Sequence, residues 1–319
     1  MAPHDQPSPP TLPTTGIPQQ NILIVKLGAL GNIILSFKAF AAIRQHHAGA
    51  RITVLTSAAY ADWMRTFPWF DDVLVDPRPA WWDLRGLRQL GRTLTAGHFS
   101  RVYDLQTSAR SSRYFYLFPP KHRPAWSGIA FGCALPDRDP RRNGLHDAVR
   151  QLGQLRQAGI TEFPEPDLSW CRGDIARFGL PPSFALLVPG SSPHRPAKRW
   201  PATQFQALAV ALAERGIASV IVGATAEQGL ASEIPAAISV IGQTNFGDLA
   251  DLARAARFAV GNDTGPMHMI AAVGCPTVTL FSDDSDPARC APAGAWTRVL
   301  QRPRLADLPL EAVLQSLPA

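Results

Sequence analysis

The stretch NILIVKLGALGN, residues 21–32, decides the fold class. Its first part is a short, β-branched apolar run, which is typical of a strand buried inside a parallel sheet. Its second part is a glycine turn, and a pattern with one apolar face then predicts a helix from Asn32 to His47. The run from Arg51 to Leu55 indicates the next strand. Strands that alternate with helices predict a parallel sheet with right-handed crossovers.

The same alternation continues through both halves of the chain. We predict further strands at residues 72–75, 101–104, 124–127, 185–188, 219–222, 239–241, 258–260 and 277–280, and helices at 145–159, 201–215, 226–233, 247–256 and 265–273. Prolines cluster between the halves. We therefore predict two doubly wound Rossmann-like α/β domains facing across a cleft, an N-terminal one over 21–175 and a C-terminal one over 176–319. Open parallel sheets bind ligands beyond the carboxyl ends of their strands, so the cleft is the expected site.

The composition is that of a globular protein of about two domains. Hydrophobic residues make up 46% of the 319 residues and charged ones 18%, which excludes a largely disordered chain and a fibrous repeat. No apolar run reaches the roughly 18 residues of a transmembrane helix, so an integral membrane protein is not expected. Residues 1–20 hold six prolines and no signal-peptide pattern, which predicts a disordered leader. The four cysteines lack metal-ligand spacing, so we expect reduced thiols in a cytoplasmic protein.

Positive charge is concentrated in the first half of the chain. The net charge is +6, whereas residues 176–319 are balanced, with 11 basic and 11 acidic side chains. Residues 77–142 carry 12 basic against 4 acidic side chains, a local excess of +8. Such a patch indicates an anionic partner, namely a phosphorylated substrate, an anionic lipid surface or a nucleic acid, unless it is only a solvated Arg-rich surface.

Three loops after predicted strands carry residue types suited to a nucleotide. The turn at residues 28–31 lacks the GxGxxG spacing, and no acidic residue follows the second strand, so a nicotinamide site is disfavoured. The loop VPGSS, residues 188–192, precedes Lys198; hydroxyls with a nearby ammonium suit a diphosphate, although an exposed basic loop fits equally. The segment VGNDTGPMH, residues 260–268, ends a strand and begins a helix, whose N-terminal amides favour an anion.

Polar residues around that helix leave more than one interpretation open. Asp263 or Thr264 can cap the helix, or Asp263 contacts the substrate instead. His268 falls on the first helical turn, either as a site residue or as a structural histidine. The run DDSD, residues 283–286, has the spacing of a metal-binding DxD, yet its place before Pro287 favours solvated carboxylates that cap a helix. No bound metal is therefore expected.

Four stretches together resemble glycosyltransferase family 9, the ADP-heptose:lipopolysaccharide heptosyltransferases. They are ILIVKLGALGNIILSFKAFAAIRQHHAGARITVLT (22–56), VYDLQTSARSSRYF (102–115), VPGSSPHRPAKRWPATQF (188–205) and VGNDTGPMHMIAAVGCPTVTLFSDDSDP (260–287). The resemblance implies a GT-B fold, with an acceptor-binding N-terminal domain and a C-terminal domain that binds the nucleotide sugar. It also implies an inverting transfer of a heptose or related sugar from an ADP-sugar to the lipopolysaccharide inner core or a similar anionic glycolipid, without a metal or other cofactor.

The resemblance further implies roles for individual residues. The nucleotide sugar would be bound by Ser191, Ser192, Lys198, Glu227, Thr244, Asp263, Thr264, Gly265 and His268. In this set the two serines and Lys198 would meet the diphosphate. Glu227 would bond the ribose, Thr244 would lie near the base and Asp263 would bond the heptose. The acceptor would be bound by Gly31, Asn32 and Gln106.

Asn32 is the main departure from the family, which typically has an aspartate at this position as the general base. An amide cannot accept the proton as a carboxylate does. Three interpretations stay open: Asp104, at a predicted strand end, serves instead; the acceptor's own phosphate or a water takes the proton; or the protein binds the nucleotide sugar without transferring it. Candidate catalytic residues are therefore Asn32, Asp104, Lys198 and Asp263.

The basic half also suggests where the protein works. Five of its residues could rest on a membrane surface, namely Trp81, Trp82, Arg85, Arg88 and Arg92. This predicts a cytoplasmic protein with peripheral contact at the cytoplasmic face of the inner membrane. Core packing is the alternative for the tryptophans, and we expect it for at least one of them. A nucleic-acid binder would leave the neutral half and its phosphate loops unexplained, so nucleic acid is not an expected partner.

Overall fold

A computed structural model of the chain describes residues 20–191 and 196–318. The N-terminal half forms one parallel sheet of six strands, in the order β3-β2-β1-β4-β5-β6. The strands are β1 (Asn21–Val25), β2 (Arg51–Ser57), β3 (Asp72–Asp76), β4 (Arg101–Asp104), β5 (Ala125–Gly128) and β6 (Leu135–Pro136). The helices of this half are α1 (Leu30–Ile34), α2 (Phe37–His46), α3 (Ala58–Met64), α4 (Leu84–Ala96), α5 (Ala109–Tyr114) and α6 (Asp147–Gln157).

The C-terminal half forms a second parallel sheet of six strands, in the order β12-β11-β10-β7-β8-β9. Its strands are β7 (Phe184–Val188), β8 (Ala218–Ile221), β9 (Ile238–Ser239), β10 (Ala259–Asn262), β11 (Thr277–Phe281) and β12 (Thr297–Gln301). Its helices are α7 (Ala202–Ala213), α8 (Leu230–Glu233), α9 (Phe246–Ala255), α10 (Gly265–Ala272), α11 (Pro287–Cys290) and α12 (Leu310–Ser316).

The two sheets have the same winding. In each, the first strand lies at the centre, two strands follow on one side and three on the other, so the strand order reverses once. The reversal lies between β1 and β4 in the first sheet and between β7 and β10 in the second, and such a point opens a crevice at the carboxyl ends of the strands. The prediction of two doubly wound domains is confirmed. The last helix of the first sheet ends at Gln157 and β7 begins at Phe184, on either side of the proposed boundary at 175/176.

Several elements differ from the sequence-based expectation. The single helix predicted from Asn32 to His47 is two helices, α1 and α2, because the Ser36 hydroxyl bonds the Asn32 carbonyl oxygen at 2.7 Å where the first helix ends. Two edge strands, β6 and β12, were not predicted. The first is two residues long, and the second is largely exposed, so neither carries the apolar run by which buried strands are recognised.

Trp81 and Trp82 are both surface residues, with 70% and 69% of their area exposed. The expectation that at least one packs in the core is therefore wrong. Both precede α4, whose N-terminus Asp83 caps by accepting from the Gly86 amide. Within the described ranges, no helix is both long enough and apolar enough to cross a membrane. The proposed leader lies outside the described residues, except for Gln20.

The two domains are in direct contact along the cleft. Helix α1 packs on α10, and the side chain of Leu30 lies against Gly265. On the next element, the ring of Trp63 in α3 packs on that of Phe246 at the start of α9, with 4.1 Å between the ring centroids. Close packing of this kind leaves the loops at the carboxyl ends of both sheets facing each other.

Candidate active site

A cavity of about 670 Å³ opens between the domains, at the carboxyl ends of both sheets. The C-terminal domain supplies most of its wall, from the loops after β7, β8 and β10 and from the start of α9. The N-terminal domain supplies Ala29, Leu30 and Gly31 from the turn after β1, together with Tyr60 from α3. Predicted site residues that line the cavity are Gly31, Ser191, Glu227, Thr244, Thr264 and Gly265.

Glu227 lies in a single helical turn after β8, with its carboxylate folded back against the backbone. Its Oε2 accepts a hydrogen bond from the Ala224 amide at 2.9 Å. Two glycines make room for it: a Cβ at Gly223 would lie 2.7 Å from Oε2, and a Cβ at Gly190 would collide with the carboxylate itself. The acidic side chain is thereby fixed at the cavity wall, where it can accept hydrogen bonds from a ligand's hydroxyls.

Lys198 is buried at the end of the loop that follows β7. Its Nζ donates to Asp263 Oδ2 at 2.7 Å, and the Ser285 hydroxyl donates to the same oxygen at 2.6 Å. The cation is therefore held in place by the carboxylate that sequence analysis had assigned to the sugar. Both side chains of this ion pair are about nine-tenths buried, which strengthens their interaction relative to a pair in water.

Ser191 is buried beside a second cation that the sequence analysis did not single out. Its hydroxyl accepts from Arg199 Nε at 3.0 Å, and Arg199 Nη2 donates to the Ser191 carbonyl at 3.3 Å. Arg199 is exposed and adjacent to Lys198, so the KR pair was the available signal. Ser192 lies outside the described residues.

Asn262, the last residue of β10, was also not predicted. It links the segment that carries Ser191 to the segment that carries Lys198. It is fully buried; its Oδ1 accepts from the Trp200 amide at 3.0 Å and its Nδ2 donates to the Pro189 carbonyl at 2.7 Å. The loop that carries Lys198 is thus tied to the loop that carries Ser191. An asparagine at the end of an apolar strand was the only sequence signal.

The N-terminus of α10 is left open by its own side chains. Thr264 is the cap residue but makes no capping hydrogen bond, and Asp263 is engaged by Lys198 and Ser285 instead. The expectation that one of these two residues caps the helix is therefore wrong. Thr264 and Gly265 line the cavity, and the buried Thr264 hydroxyl has no partner among the described residues. Unsatisfied amides at the positive end of a helix are a ready anion site.

His268 lies one turn further along α10, at the contact between the domains. It is 5% exposed, and a Cβ at Gly31 would lie 2.7 Å from its Cδ2, so only glycine fits opposite it. Burial lowers the pKa of His268 to about 4, so the ring is neutral at pH 7. Its Nδ1 has no hydrogen-bond partner in the part of the chain that the structure describes.

Thr244 lies at the far end of the cavity, next to the capping box of α9. There the Asn245 side chain accepts from the Asp248 amide while Asp248 accepts from the Asn245 amide. The cavity lining also includes Val222, Leu249 and Tyr60. Apolar and aromatic side chains with few polar groups suit a nucleobase. Tyr60 was not predicted, because it reaches the site only through domain packing.

The predicted acceptor residues lie on the N-terminal side. Gln106 is not free: its Oε1 accepts from the Leu27 amide at 2.9 Å, which holds the turn after β1 against the loop after β4. Asn32 lies in the first turns of α1, half-buried, next to the Gly31–His268 contact. Gln106 thus shapes the turn, whereas Gly31 lies at the contact between the domains.

Asp104, at the end of β4, is completely buried. Its Oδ1 accepts from the Thr107 amide at 2.9 Å, whereas Oδ2 has no partner among the described residues. Burial raises the pKa of Asp104 to about 6. Lys26 is buried nearby with its Nζ donating to the Leu105 carbonyl, and burial lowers its pKa to about 8. The Asp104 carboxylate is therefore not accessible to a substrate in the cleft.

The DDSD run follows β11 at the rim of the site. Asp286 caps α11 by accepting from the Ala288 amide at 2.9 Å, and Asp283 accepts from the Gln301 side chain. Ser285 is the member that reaches the site, through Asp263. Over the ranges that the structure describes, no group of three or more His, Cys, Asp and Glu side chains is placed to hold a metal ion.

Comparison with known proteins identifies relatives over most of the chain. Residues 87–307 match the model of glycosyltransferase family 9 (heptosyltransferase). The chain is 25% identical to lipooligosaccharide heptosyltransferase 2 of Haemophilus ducreyi, covering 80% of both chains, and 24% identical to lipopolysaccharide heptosyltransferase 2 of Escherichia coli, covering 88% of this chain and 87% of the relative. A family 9 glycosyltransferase structure from Veillonella parvula superposes with a TM-score of 0.77 at 21% identity, covering 93% and 95% of the chains. The predicted GT-B fold is confirmed.

Proposed function

Because the chain belongs to glycosyltransferase family 9, we propose that it transfers a heptose, or a closely related sugar, from an ADP-sugar to the inner core of lipopolysaccharide or a similar anionic glycolipid. The names of its relatives support this substrate class, since they are heptosyltransferases of lipopolysaccharide and lipooligosaccharide. The nucleotide sugar is a co-substrate, and the proposal requires no metal or other cofactor.

The donor would lie along the interdomain cavity in a single orientation. The base would occupy the apolar end at Thr244, Tyr60 and Leu249, and the ribose hydroxyls would donate to the Glu227 carboxylate. The diphosphate would then reach the open N-terminus of α10, close to Ser191.

The same groups would stabilise the transition state of an inverting transfer. As the bond to the anomeric carbon breaks, negative charge grows on the diphosphate oxygens. The Lys198 ammonium, the Arg199 guanidinium and the Gly265 amide at the start of α10 would donate to these oxygens, and preorganised donors lower the barrier because they need no reorganisation. Asp263 would hold Lys198 in place and offer its second oxygen to a hydroxyl of the sugar.

The single observation that carries the proposal is the open α10 N-terminus with a buried Lys198–Asp263 pair beside it, at the end of a nucleotide-sized cavity. Neither feature contributes to a hydrophobic core. A buried ion pair is also a poor way to stabilise a fold, because desolvation offsets much of the attraction. A ligand that carries negative charge accounts for both features.

The acceptor would approach from the N-terminal domain. The excess of basic residues over 77–142 would attract an anionic glycolipid. Trp81, Trp82 and Leu84 are all more than 60% exposed at the start of the Arg-rich helix α4, a combination typical of contact with a membrane interface. We propose a cytoplasmic protein that touches the cytoplasmic face of the inner membrane through this surface.

Product analysis tests the proposal directly. Purified protein is incubated with ADP-heptose and deacylated lipopolysaccharide core, and the core is analysed by mass spectrometry for the added sugar. Lys198→Ala is expected to lower kcat by about 100-fold, the size of effect seen when one transition-state donor is removed. Lys38→Ala, which removes only the surface ion pair with Glu165, is the control and should keep wild-type turnover. Absence of product with the wild type, or full turnover of Lys198→Ala, would contradict the proposal.

A further inference from the structure

Transfer to a hydroxyl needs a proton acceptor on the acceptor side of the cleft. Position 32, at the start of α1, carries an amide, which has no basic oxygen at neutral pH. A side-chain base would have to come from another element of the N-terminal domain that reaches the same region. Carboxylates are the natural candidates, because they stay ionised at the pH where the reaction runs.

The start of α6 is such an element, because it spans the gap between the domains. His146 precedes the helix; its Nδ1 accepts from the Ala148 amide, and its Nε2 donates to the Ala291 carbonyl of the C-terminal domain at 2.9 Å. Ala291 directly follows α11, at the rim of the site. The first turn of α6 is thus fixed next to the residues that surround Asp263.

Asp147 is the first residue of α6, and its carboxylate lies within this region. The side chain is 16% exposed, and Arg150 Nη2 contacts its Oδ1 at 2.9 Å, which orients the group. The charge of Asp147 acts on titratable groups of both domains. Burial lowers the pKa of His268 to about 4 and raises that of Cys290 to about 11, and the charge of Asp147 acts on both groups. Burial lowers the pKa of Lys26, and among the neighbouring charges that of Asp147 raises this pKa the most.

The other carboxylates near the cleft are committed or out of reach. Asp104 is completely buried. Asp263 carries hydrogen bonds from Lys198 and Ser285 on the donor side. Asp286 caps α11. Of these four, only Asp147 both belongs to the N-terminal domain and keeps part of its side chain exposed.

From this geometry we propose that Asp147 is the general base of the transfer, which rests on the function proposed above. The acceptor oxygen forms a bond to the anomeric carbon, and the bond from that carbon to the diphosphate oxygen breaks, with its electron pair leaving on ADP. The acceptor O–H bond breaks in the same step, and the proton moves to a carboxylate oxygen of Asp147. Asn32 then acts only as a neighbour of the acceptor.

The test compares three variants in the full-length protein. Asp147→Asn is expected to lower kcat at least about 100-fold, the usual worth of a general base, while the Kd for ADP stays within twofold of wild type. Adding Asn32→Asp to Asp147→Asn is expected to restore at least tenfold of that loss, because the new carboxylate at the start of α1 would supply a base on the acceptor side.

Asp251→Asn is the matched control. Asp251 forms the same i,i+3 pair, with Arg254, at similar exposure, but on α9 away from the acceptor; this variant should turn over within twofold of wild type. Wild-type turnover by Asp147→Asn overturns the inference, and so does a double variant no faster than Asp147→Asn. An inactive wild type would instead overturn the proposed function and the inference with it, whereas the other outcomes leave the function standing.

Discussion

At the residue scale, the donor site depends on small side chains that let functional groups lie close to the backbone. Gly190 is the clearest case, because the Glu227 carboxylate occupies the space that a Cβ at position 190 would need. Gly31 does the same for His268 across the domain contact. In both places the smallest residue is required by a neighbouring polar group, since neither glycine has a positive φ.

Gly190→Ala is expected to weaken ADP binding by about tenfold, equal to about 1.4 kcal/mol. The added methyl group would turn the Glu227 carboxylate away from the wall where the ribose should lie. Calorimetric titration with ADP measures the effect. Gly229→Ala is the control, because a Cβ there meets nothing within 4 Å; its Kd should equal that of wild type. Unchanged ADP affinity in Gly190→Ala would show that Glu227 does not contact the nucleotide.

At the element scale, the α1–α10 contact brings a neutral histidine into the domain interface. Burial holds the pKa of His268 near 4 in the folded protein, below the ordinary value of 6.5. The unfolded chain therefore binds a proton at a higher pH than the folded one. It follows that the free energy of unfolding falls as the pH decreases from about 6.5 towards 4.

His268→Gln removes this titration, so the variant should lose less stability on acidification than the wild type. Between pH 7.5 and pH 5 the difference in the loss should be about 2 kcal/mol, from the two pKa values above. Urea unfolding at both pH values measures it. His47, whose pKa burial also lowers to about 4, and Asp104, whose pKa burial raises to about 6, are present in both proteins and cancel. Parallel losses in the two proteins would contradict the prediction.

Elements with a recognisable local sequence pattern could be predicted from the sequence, and so could part of the candidate site. The central strands are apolar runs, and the loops after β7 and β10 meet because these strands are neighbours in the sheet. Lys198, Asp263 and Thr264 therefore came together as expected. Arg199, Asn262 and Tyr60 escaped prediction, since their contacts come from tertiary packing. The unsatisfied cap of α10 could not be foreseen either, because Asp263 is drawn away by partners that are distant in sequence.

At the scale of the whole molecule, charge and exposed aromatic residues lie on one domain while the donor loops lie on the other. Trp81 and Trp82 flank the start of α4, which carries Arg85, Arg88 and Arg92. Phe131, 90% exposed, belongs to the same domain. If the proposed function holds, the N-terminal domain would rest on an anionic surface while the C-terminal domain takes up the soluble donor from solution.

The double variant Trp81→Ser, Trp82→Ser is expected to reduce binding to anionic phospholipid vesicles at least fivefold, because interfacial tryptophans anchor through their amphipathic rings. Turnover on the deacylated, water-soluble acceptor should be unchanged. Sedimentation with vesicles measures the first effect and product analysis the second. Val210→Ser, an exposed apolar position of the C-terminal domain, is the control and should bind vesicles as wild type does. Equal vesicle binding by all three proteins would rule out this surface as the anchor.

The wall that Ala29, Leu30 and Tyr60 contribute to the interdomain cavity has a consequence for inhibitor design. A compound that contacts this wall and the loops of the opposite half would bind both halves of the molecule at once. Its affinity would then depend on the packing of α1 on α10, so substitutions at that contact should weaken it even though they touch no part of the compound.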